Sequence, residues 1–449
     1  MAFEITQELL ENVTEHIETK NDAGLKELFK EIHHADIAEI LDELPFEESV
    51  YIIRLLKSET TSEVLMDVDD DVREKILEQL TAKEIAEEID ELDTDDAADV
   101  ISELPDNRKK AVMREIDDEE HAKEIVELLR YDENSAGGLM AKELVKVNEN
   151  WTIPRCVKEM RLQAEEVTRV HSIYVIDDNN KLKGRLSLKD LLMASTKATI
   201  AEVYIPKVDF VNVTDEAEDV ANIMRKYDLE AIPVVDELGA LVGRITIDDI
   251  VDVIKDEADK DYQLAAGITQ GVEADDTIWE LTRARLPWLF LGLLGGVGAA
   301  SIMGVFEGAM VDNAILFMFT PLIAAMAGNV GVQSSAIIVQ GIANDDIRGS
   351  ITSRLLKEVS LAMVNGLALA ILLFLFIFIT EQDIKVAAAI STSLFVVIIV
   401  AGLIGTFIPL FLDKRGIDPA IATGPFITTS NDIFGILIYF GIAKMIIGF

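Results

Sequence analysis

The charged residues of this 449-residue chain are divided unequally along its length. Residues 1–284 hold 71 of the 81 acidic and 32 of the 40 basic residues, a net charge of −39, whereas residues 285–449 hold 10 and 8 and are otherwise mostly apolar. A helix needs about 20 apolar residues to cross a bilayer. Five stretches reach that length: 286–306, 313–342, 356–380, 386–411 and 420–447. The sequence therefore predicts a membrane protein with an acidic soluble half and five transmembrane helices.

Basic residues in the connections predict the orientation, because Lys and Arg are enriched on the cytoplasmic side. The side of the soluble half has Arg283, Arg285, Arg348, Arg354, Lys357, Lys414 and Arg415, and the other side has Lys385 and Lys444. We expect a multi-pass protein of the cell membrane with its N-terminal half in the cytoplasm and its C-terminus outside. The acidic start predicts no cleavable signal peptide, and the single cysteine, Cys156, fits a reducing compartment.

The negative charge of the soluble half restricts its partners. Nucleic acid is excluded, because its phosphates require clustered Lys and Arg. Carboxylates at this density repel one another unless cations screen them. An odd number of spans without an inverted repeat suits a single-chain transporter poorly. We therefore expect a homodimer, since two-fold symmetry is the commonest arrangement of oligomers.

The fifth apolar stretch contains the residue that most directly indicates a function. Asp432 lies deep in this stretch, where a carboxylate costs roughly 2.5–3.5 kcal/mol and usually faces water or a partner. Thr428 lies four residues before it, on the same helical face, and Asn431 is adjacent. Their oxygens suit Mg2+ or Ca2+, and residues 285–449 contain no Cys or His for softer metals. The alternative is a protonated carboxyl that serves helix packing.

The second apolar stretch combines small and polar residues in the sequence Gly328-Asn-Val-Gly-Val-Gln-Ser-Ser335. Small residues allow helices to approach closely, and amides hydrogen-bond between helices. Asn329 and Gln333 are four residues apart and are candidates to line an ion path. They are equally good candidates for helix packing alone, and the sequence supports both interpretations.

The soluble half contains two kinds of repeat. A ten-residue phrase occurs at 36–45 and 96–105, with Asp36 and Asp96 as expected helix N-caps, and predicts an all-α superhelical stack over residues 1–135. Residues 140–255 alternate β-branched strands with helices. There Gly184-Arg-Leu-Ser-Leu-Lys-Asp190 returns as Gly243-Arg-Ile-Thr-Ile-Asp-Asp249, which indicates two copies of one α/β unit.

These two copies are similar to a tandem of CBS modules, and the order of the segments resembles the MgtE family of Mg2+ channels. The resemblance covers essentially the whole chain. Its other marks are Ser135-Ala-Gly-Gly-Leu-Met140, the 328–335 sequence and Thr428-Thr-Ser-Asn-Asp432. It implies a helical N domain at 1–135, CBS modules at 136–199 and 200–255, a long connecting plug helix at 256–284 and a transmembrane domain at 285–449.

The resemblance also implies a mechanism, in which Asp432 holds hydrated Mg2+ in a dimeric pore. At high cytosolic Mg2+, ions would bridge carboxylates of the N domain, the CBS pair and the plug and close the channel. At low Mg2+ the bare charges would repel one another and open it. The matching carboxylates are Glu63, Asp95, Glu218, Asp228, Asp249, Asp252, Glu257, Asp261 and Asp418. Lys260 stands where the family pattern has an acid, so one of these sites departs from it.

CBS pairs frequently bind adenine nucleotides, so the resemblance implies ATP as a second regulatory ligand. Ser187 with Asp190, and Thr246 with Asp249, match the hydroxyl and carboxylate positions, although each hydroxyl is equally well a helix cap. Two other functions stay open: an ion-coupled Mg2+ exchanger, and a non-conducting membrane-anchored sensor of Mg2+ or nucleotide. We expect no enzyme, because the chain has five His, one Cys and no Gly-rich phosphate loop.

Overall fold

The computed structural model describes residues 5–164, 167, 169–269, 271–273, 276–307, 313–344, 347, 350–422 and 424–448. It divides into two compact units, Met1–Ile254 and Lys255–Phe449. Along the chain, short helices come first, two small sheets with their helices follow, and long apolar helices come last. This order confirms the predicted fold class of a helical domain, an α/β pair and a helical membrane domain.

The first unit begins with short amphipathic helices. They are α1 Gln7–Glu18, α2 Asp22–Phe29, α3 His34–Glu43, α4 Phe46–Ile53, α5 Ser58–Asp67, α6 Asp70–Gln79, α7 Ala82–Ile89, α8 Thr94–Glu103, α9 Asp106–Val112 and α10 Glu119–Leu128. Helix α3 packs against α5, α4 against α6, α5 against α7, and α7 against α9. These helices thus each cover a neighbour two positions along the chain, and buried residues such as Ile37, Ile40 and Leu65 form a continuous core.

The repeated ten-residue phrase forms α3 and α8, but its aspartates are not the caps. The N-cap residues are His33 and Asp93, and Asp36 and Asp96 lie in the first turn. The N-cap prediction is therefore wrong, because both helices begin earlier than expected. Carboxylates in a first turn still interact favourably with the helix dipole, which explains why acidic residues occur there.

Two similar α/β modules follow the short helices. Their elements are β1 Val145–Asn148, α11 Ile153–Gln163, β2 Ile173–Ile176, β3 Leu182–Leu186 and α12 Leu188–Met193, then β4 Val211–Asn212, α13 Ala217–Tyr227, β5 Ala231–Val235, β6 Leu241–Thr246 and α14 Ile247–Ala266. In each sheet the first two strands are parallel and the third is antiparallel. Ile173 pairs with Leu186, and Ile232 pairs with Ile245 at the equivalent place. The sequence repeat is therefore also a structural repeat.

The second unit contains five helices, among the described residues, that are long and apolar enough to cross a membrane. They are α15 Ile278–Val305, α16 Ala314–Ala343, α17 Ile351–Glu381, α18 Ile384–Asp413 and α19 Gly424–Ile447, the last preceded by a 3-10 turn at Pro419–Ala422. Helices α16 and α19 pack against each other and against α18, and α15 packs against α19. Buried Ile323, Tyr439 and Phe440 lie in the core of this bundle.

The segment predicted as one plug helix at 256–284 has a more complex structure. Helix α14 begins within the second α/β module and ends at Ala266, and α15 begins at Ile278. Gly267 follows the last residue of α14 with a φ of +81°, a left-handed conformation that favours glycine. The hydroxyl of Thr269 then donates to the carbonyl of Ala284, 2.9 Å away, and attaches the connection to the first turns of α15.

Candidate functional site

A cavity of about 360 Å³ lies between α16 and α19. Its polar lining consists of Asn329, Gln333, Thr428 and Asp432. The structure thus brings together four of the five residues that the sequence suggested for an ion path. Their side chains offer amide, hydroxyl and carboxylate oxygens, which are the ligands preferred by hard cations.

Helical spacing explains why these side chains share one cavity. Asn329 and Gln333 lie on one face of α16, and Thr428 and Asp432 on one face of α19, because residues four apart are neighbours on a helix. Gly328 allows the two faces to approach, since a Cβ there would lie 3.2 Å from the methyl carbon of Thr428. The Thr428 hydroxyl donates to the carbonyl of Gly424, 2.9 Å away, which orients its oxygen.

Asn431, the fifth residue suggested for the ion path, has a different position. Its side chain is 1% exposed and donates to the carbonyl of Ala327 at 3.2 Å. A Cβ at Gly331 would overlap the Asn431 amide, so a glycine is required opposite it. Asn431 does not line the cavity with Asp432, and in this structure it joins α19 to α16 as a packing residue.

A second cavity, of about 660 Å³, shares two of these four polar residues with the first. Thr428 and Asp432 line it together with Arg285 and Trp288 of α15, and with residues 266–268 at the end of α14. Asp432 therefore lies between two cavities of the second unit. Such a position allows a carboxylate to contact an ion that enters from either cavity.

An acidic cluster forms in the first unit, where α8 meets the second α/β module. Burial and repulsion from Asp96, Asp249 and Asp93 raise the pKa of Asp95 well above its usual value. Burial, followed by the charges of Asp249 and Asp93, raises the pKa of Asp96 to about 8. Glu63 is also among the charges that act on Asp93 and Asp96. Three predicted regulatory carboxylates, Glu63, Asp95 and Asp249, thus belong to one electrostatic cluster.

Specific hydrogen bonds hold the helical domain against the α/β pair at this cluster. Thr94, the first residue of α8, donates through its backbone N–H and its hydroxyl to the carboxylate of Glu143, with the hydroxyl 2.9 Å away. Arg244 donates through Nε to the carbonyl of Glu143 at 2.5 Å, and its Nη2 lies 3.4 Å from Asp93. Sequence analysis missed these contacts. Their one local signal is the Arg within the repeated Gly-Arg phrase.

The other predicted regulatory carboxylates are spread more widely. Glu218 lies in the first turn of α13 and Asp228 is its C-cap, so the two are about 15 Å apart along the helix. Asp252 lies on the exposed side of α14. Among the described residues, no group of three or more His, Cys, Asp or Glu is arranged to hold a metal ion. The structure therefore does not bring Glu218, Asp228 and Asp252 into one site.

A smaller charged group lies in the second unit. Lys260 donates to Glu257 at 3.0 Å, so the basic residue at the atypical position is paired with a predicted ligand. Burial, then the charges of Asp418 and Glu257, raise the pKa of Asp261. Glu257, Asp261 and Asp418 thus share one electrostatic environment, in which Lys260 supplies one internal positive charge.

The residues suggested for a nucleotide have contacts that fit both interpretations. A cavity of about 480 Å³ is lined by Ser187 and Asp190 together with His171, Arg185 and Lys189. Ser187 also caps α12, because its hydroxyl accepts from the N–H of Lys189 at 3.1 Å. In the second module the hydroxyl of Thr246 donates to Asp249 at 2.7 Å, at the start of α14.

Comparison with known proteins gives matches along most of the chain. Residues 320–442 match the family model described as "Divalent cation transporter", residues 32–134 match "MgtE intracellular N domain", and residues 136–197 and 200–256 match "CBS domain". The "Magnesium transporter MgtE" of Enterococcus faecalis is 38% identical over 72% of both chains. That of Thermus thermophilus is 31% identical over 98% of this chain and 99% of the relative.

The first unit also resembles a solved structure. The crystal structure of "the cytosolic domain of the Mg2+ channel MgtE in complex with ATP" is 34% identical, with a TM-score of 0.51. The match covers 55% of this chain and all of that chain. These matches confirm the family resemblance that the sequence motifs indicated.

Proposed function

This chain belongs to the MgtE family of magnesium transporters, and we propose from that premise that Mg2+ crosses the membrane beside Asp432. The family transports Mg2+ and is not a family of enzymes, so magnesium transport is the activity of this chain. The observation that carries the proposed path is the cavity shared by Asn329, Gln333, Thr428 and Asp432. It supplies one charge and several neutral oxygens in an otherwise apolar bundle.

The chemistry of this cavity suits Mg2+ with part of its water shell. Mg2+ loses water reluctantly and is usually bound through one or two carboxylates and several waters. Asp432 would attract the ion, and the side-chain oxygens of Asn329, Gln333 and Thr428 would accept hydrogen bonds from its waters. The relative whose cytosolic domain is solved is named a Mg2+ channel, and we propose that this path is also that of a channel.

Cysteine accessibility tests this path, since Cys156 is the only cysteine of the chain and is buried. In a Cys156→Ser background, Gln333→Cys is treated with a positively charged, water-soluble thiol reagent during Mg2+ flux into proteoliposomes. We expect modification to block flux and Mg2+ to slow the modification. A Ser301→Cys variant on α15, where the exposed hydroxyl bonds only its own helix at 2.8 Å, is the control. Modification of Gln333→Cys without loss of flux would place the path elsewhere.

The same liposomes distinguish a channel from an exchanger. Flux that continues when every other permeant cation is absent from the opposite side supports a channel. Flux that requires such a counter-ion supports the coupled exchanger. A non-conducting sensor predicts no flux in either condition, but it leaves the carboxylate of Asp432 in the bundle unexplained.

We propose that cytosolic Mg2+ closes the channel by binding the acidic clusters. Burial, followed by repulsion from neighbouring carboxylates, raises the pKa values of Asp93, Asp95 and Asp96, so packing α8 against the α/β pair places negative charges close together and away from water. A bound cation would relieve this repulsion and would favour the packed state. A ligand shifts an equilibrium only if it binds one state more tightly, and here the packed, closed state is the tighter one.

The remaining regulatory carboxylates of the proposal belong to α13, α14 and the last cytoplasmic loop. They are Glu218, Asp228, Asp252, Glu257, Asp261 and Asp418. Neutralising Asp252 or Glu257 should keep the channel open at high Mg2+. Normal closure in both variants would remove them from the regulatory set.

An adenine nucleotide is proposed as a second regulatory ligand. The related cytosolic domain was solved in complex with ATP, and the cavity beside Ser187 and Asp190 adds Arg185 and Lys189 as candidate phosphate partners. Thr246 and Asp249 are the equivalent pair in the second module. Calorimetric titration of ATP into wild type and Asp190→Asn tests this role, and identical heats of binding would exclude Asp190.

We propose a homodimer in which the CBS pairs contact each other. Large apolar side chains are exposed on α12 and α14: Leu192 is 85% exposed, Met193 77% and Val251 56%. Burying them against a second copy would stabilise the assembly. The cytoplasmic orientation of the first unit and an external C-terminus rest on the basic residues between the spans, of which Arg348 lies outside the described residues.

A further inference from the structure

We infer that Glu358 is a positioning residue for the ion path and fixes the turns of α16 that carry Asn329 and Gln333. Glu358 lies within α17, one of the five apolar helices, where ionisable side chains are rare. It does not line the cavity beside Asp432. Its presence within a span therefore requires a partner in the bundle.

That partner is Ser334 of α16. The Ser334 hydroxyl donates to Oε1 of Glu358 over 2.7 Å, and Ser334 is only 6% exposed. Hydrogen bonds to a carboxylate are stronger than those between neutral groups. Gly402 of α18 makes room for the carboxylate, because a Cβ at this position would lie 2.8 Å from Oε1. Three helices therefore meet at one hydrogen bond.

This hydrogen bond acts on the side of α16 that faces away from the cavity. Ser334 directly follows Gln333, and successive residues are rotated by about 100° around a helix. Ser335 also donates to a backbone carbonyl, that of Ala422 just before α19, at 2.7 Å. The same turn thus presents Gln333 to the cavity while Ser334 and Ser335 hold it to α17 and to the start of α19.

The consequence for transport follows from this arrangement. Without the bond to Glu358, this turn of α16 loses its attachment to α17, and the amides of Asn329 and Gln333 lose their fixed distance from Asp432. Selection between hydrated cations depends on such fixed distances. The inference rests on the proposed ion path, and it assigns to Glu358 an effect on selectivity rather than contact with the ion.

The test compares Mg2+ and Ca2+ fluxes in proteoliposomes, normalised to folded protein, for Glu358→Gln, Glu358→Leu, Ser334→Ala and the double variant Ser334→Ala/Glu358→Leu. The flux ratio is the decisive readout, because a general loss of folded protein lowers both fluxes equally. Ser360→Ala is the matched control, since that hydroxyl lies on α17 but donates only to its own helix at Leu356, 2.9 Å away. Asp432→Asn in the same assay tests the ion path itself.

We expect Glu358→Gln to keep the wild-type flux ratio, because its amide oxygen still accepts from Ser334. Ser334→Ala and Glu358→Leu should each lower the Mg2+ to Ca2+ ratio roughly three- to tenfold, as loss of one hydrogen bond implies. The double variant should be no worse than either single variant.

Two results would overturn the inference. In the first, Glu358→Gln lowers the flux ratio as much as Glu358→Leu does, while Ser334→Ala keeps the wild-type ratio. That result would mean that the charge of Glu358 acts on the ion directly. The other is a wild-type ratio in both Ser334→Ala and Glu358→Leu. Normal Mg2+ flux in Asp432→Asn would be a different result, because it would contradict the proposed ion path itself.

Discussion

Arg244 and Asp93 form an ion pair between the second CBS module and the helical N domain, with Nη2 of Arg244 3.4 Å from Oδ2 of Asp93. Arg244 is only 5% exposed. It brings a fixed positive charge into a cluster that otherwise consists of carboxylates. We expect the Arg244 guanidinium to neutralise part of the negative charge of this cluster and bound Mg2+ to neutralise the rest.

Replacement of Arg244 should therefore increase the Mg2+ needed to pack the N domain against the CBS pair. In Arg244→Gln, Asp93, whose side chain is 31% exposed, would lose its partner, which costs about 1 kcal/mol for a half-buried ion pair. Limited proteolysis of the full-length protein across a Mg2+ series measures the packed fraction. Arg225→Gln on α13 is the control, because that side chain is exposed and bonds Asn222 on its own helix. An unchanged Mg2+ midpoint in Arg244→Gln would contradict the account.

Protons should replace Mg2+ in the same cluster. Packing raises the pKa of Asp93 to about 6 and of Asp96 to about 8, so the packed state binds protons more tightly than the separated state. Stability of the packed state must therefore fall as the pH rises from about 4 to 8, and it must increase on acidification. Without Mg2+, proteolysis should be slower at pH 5.5 than at pH 8.

An Asp96→Asn variant provides the check on this pH dependence. It removes one of the titrating groups, so the difference between pH 5.5 and pH 8 should shrink and packing at pH 8 should require less Mg2+. Glu237→Gln, at an exposed position, should behave like wild type. Equal pH dependence in wild type and Asp96→Asn would show that this cluster does not control packing.

Helices α16 and α19 are in close contact at Gly331, so a larger residue at this position should destabilise the membrane domain. A Cβ at this position would overlap the Asn431 side chain, so Gly331→Ala must separate α16 from α19. Overpacking of this kind costs typically about 1–3 kcal/mol. Thermal unfolding in detergent measures it, with Gly296→Ala on α15 as the control, because a Cβ there meets nothing within 4 Å. Equal melting temperatures would mean that this helix contact is looser than described.

The single cysteine should be chemically inert in the folded protein. Cys156 is fully buried, and burial raises the pKa of its thiol to about 11. Only the thiolate reacts rapidly with alkylating reagents. We expect no labelling by maleimide at pH 7 in native protein and complete labelling after denaturation, measured by mass spectrometry. Rapid labelling of native protein would contradict the packing of the first CBS module.

The general architecture was predictable from the sequence because each part has its own periodicity and charge. The five spans followed from length and hydropathy, and the CBS pair followed from an internal repeat. Thr428 and Asp432 were predicted to share a face because they are four residues apart on one helix. That spacing did not fix the direction of the adjacent Asn431 side chain, which depends on α16 and its glycine at 331.

Contacts between distant segments could not be predicted from the sequence. Arg244 and Asp93 are 151 residues apart, and no local pattern relates them. Ser334 and Glu358 lie on different spans, and no pattern in either segment indicates the other as its partner. The spread of Glu218 and Asp228 to opposite ends of α13 likewise depends on where a helix begins and ends.

The most direct test of the central claim is the Mg2+ flux of wild type and Asp432→Asn in the same proteoliposomes, at low and high Mg2+ on the cytoplasmic face. We expect wild type to conduct at low Mg2+ and to close at high Mg2+, and we expect Asp432→Asn to lose at least tenfold in flux, about 1.4 kcal/mol at the ion site. Glu381→Gln, at the exposed end of α17, is the matched carboxylate control. Wild-type flux in Asp432→Asn would contradict the claim that Mg2+ crosses the membrane beside this residue.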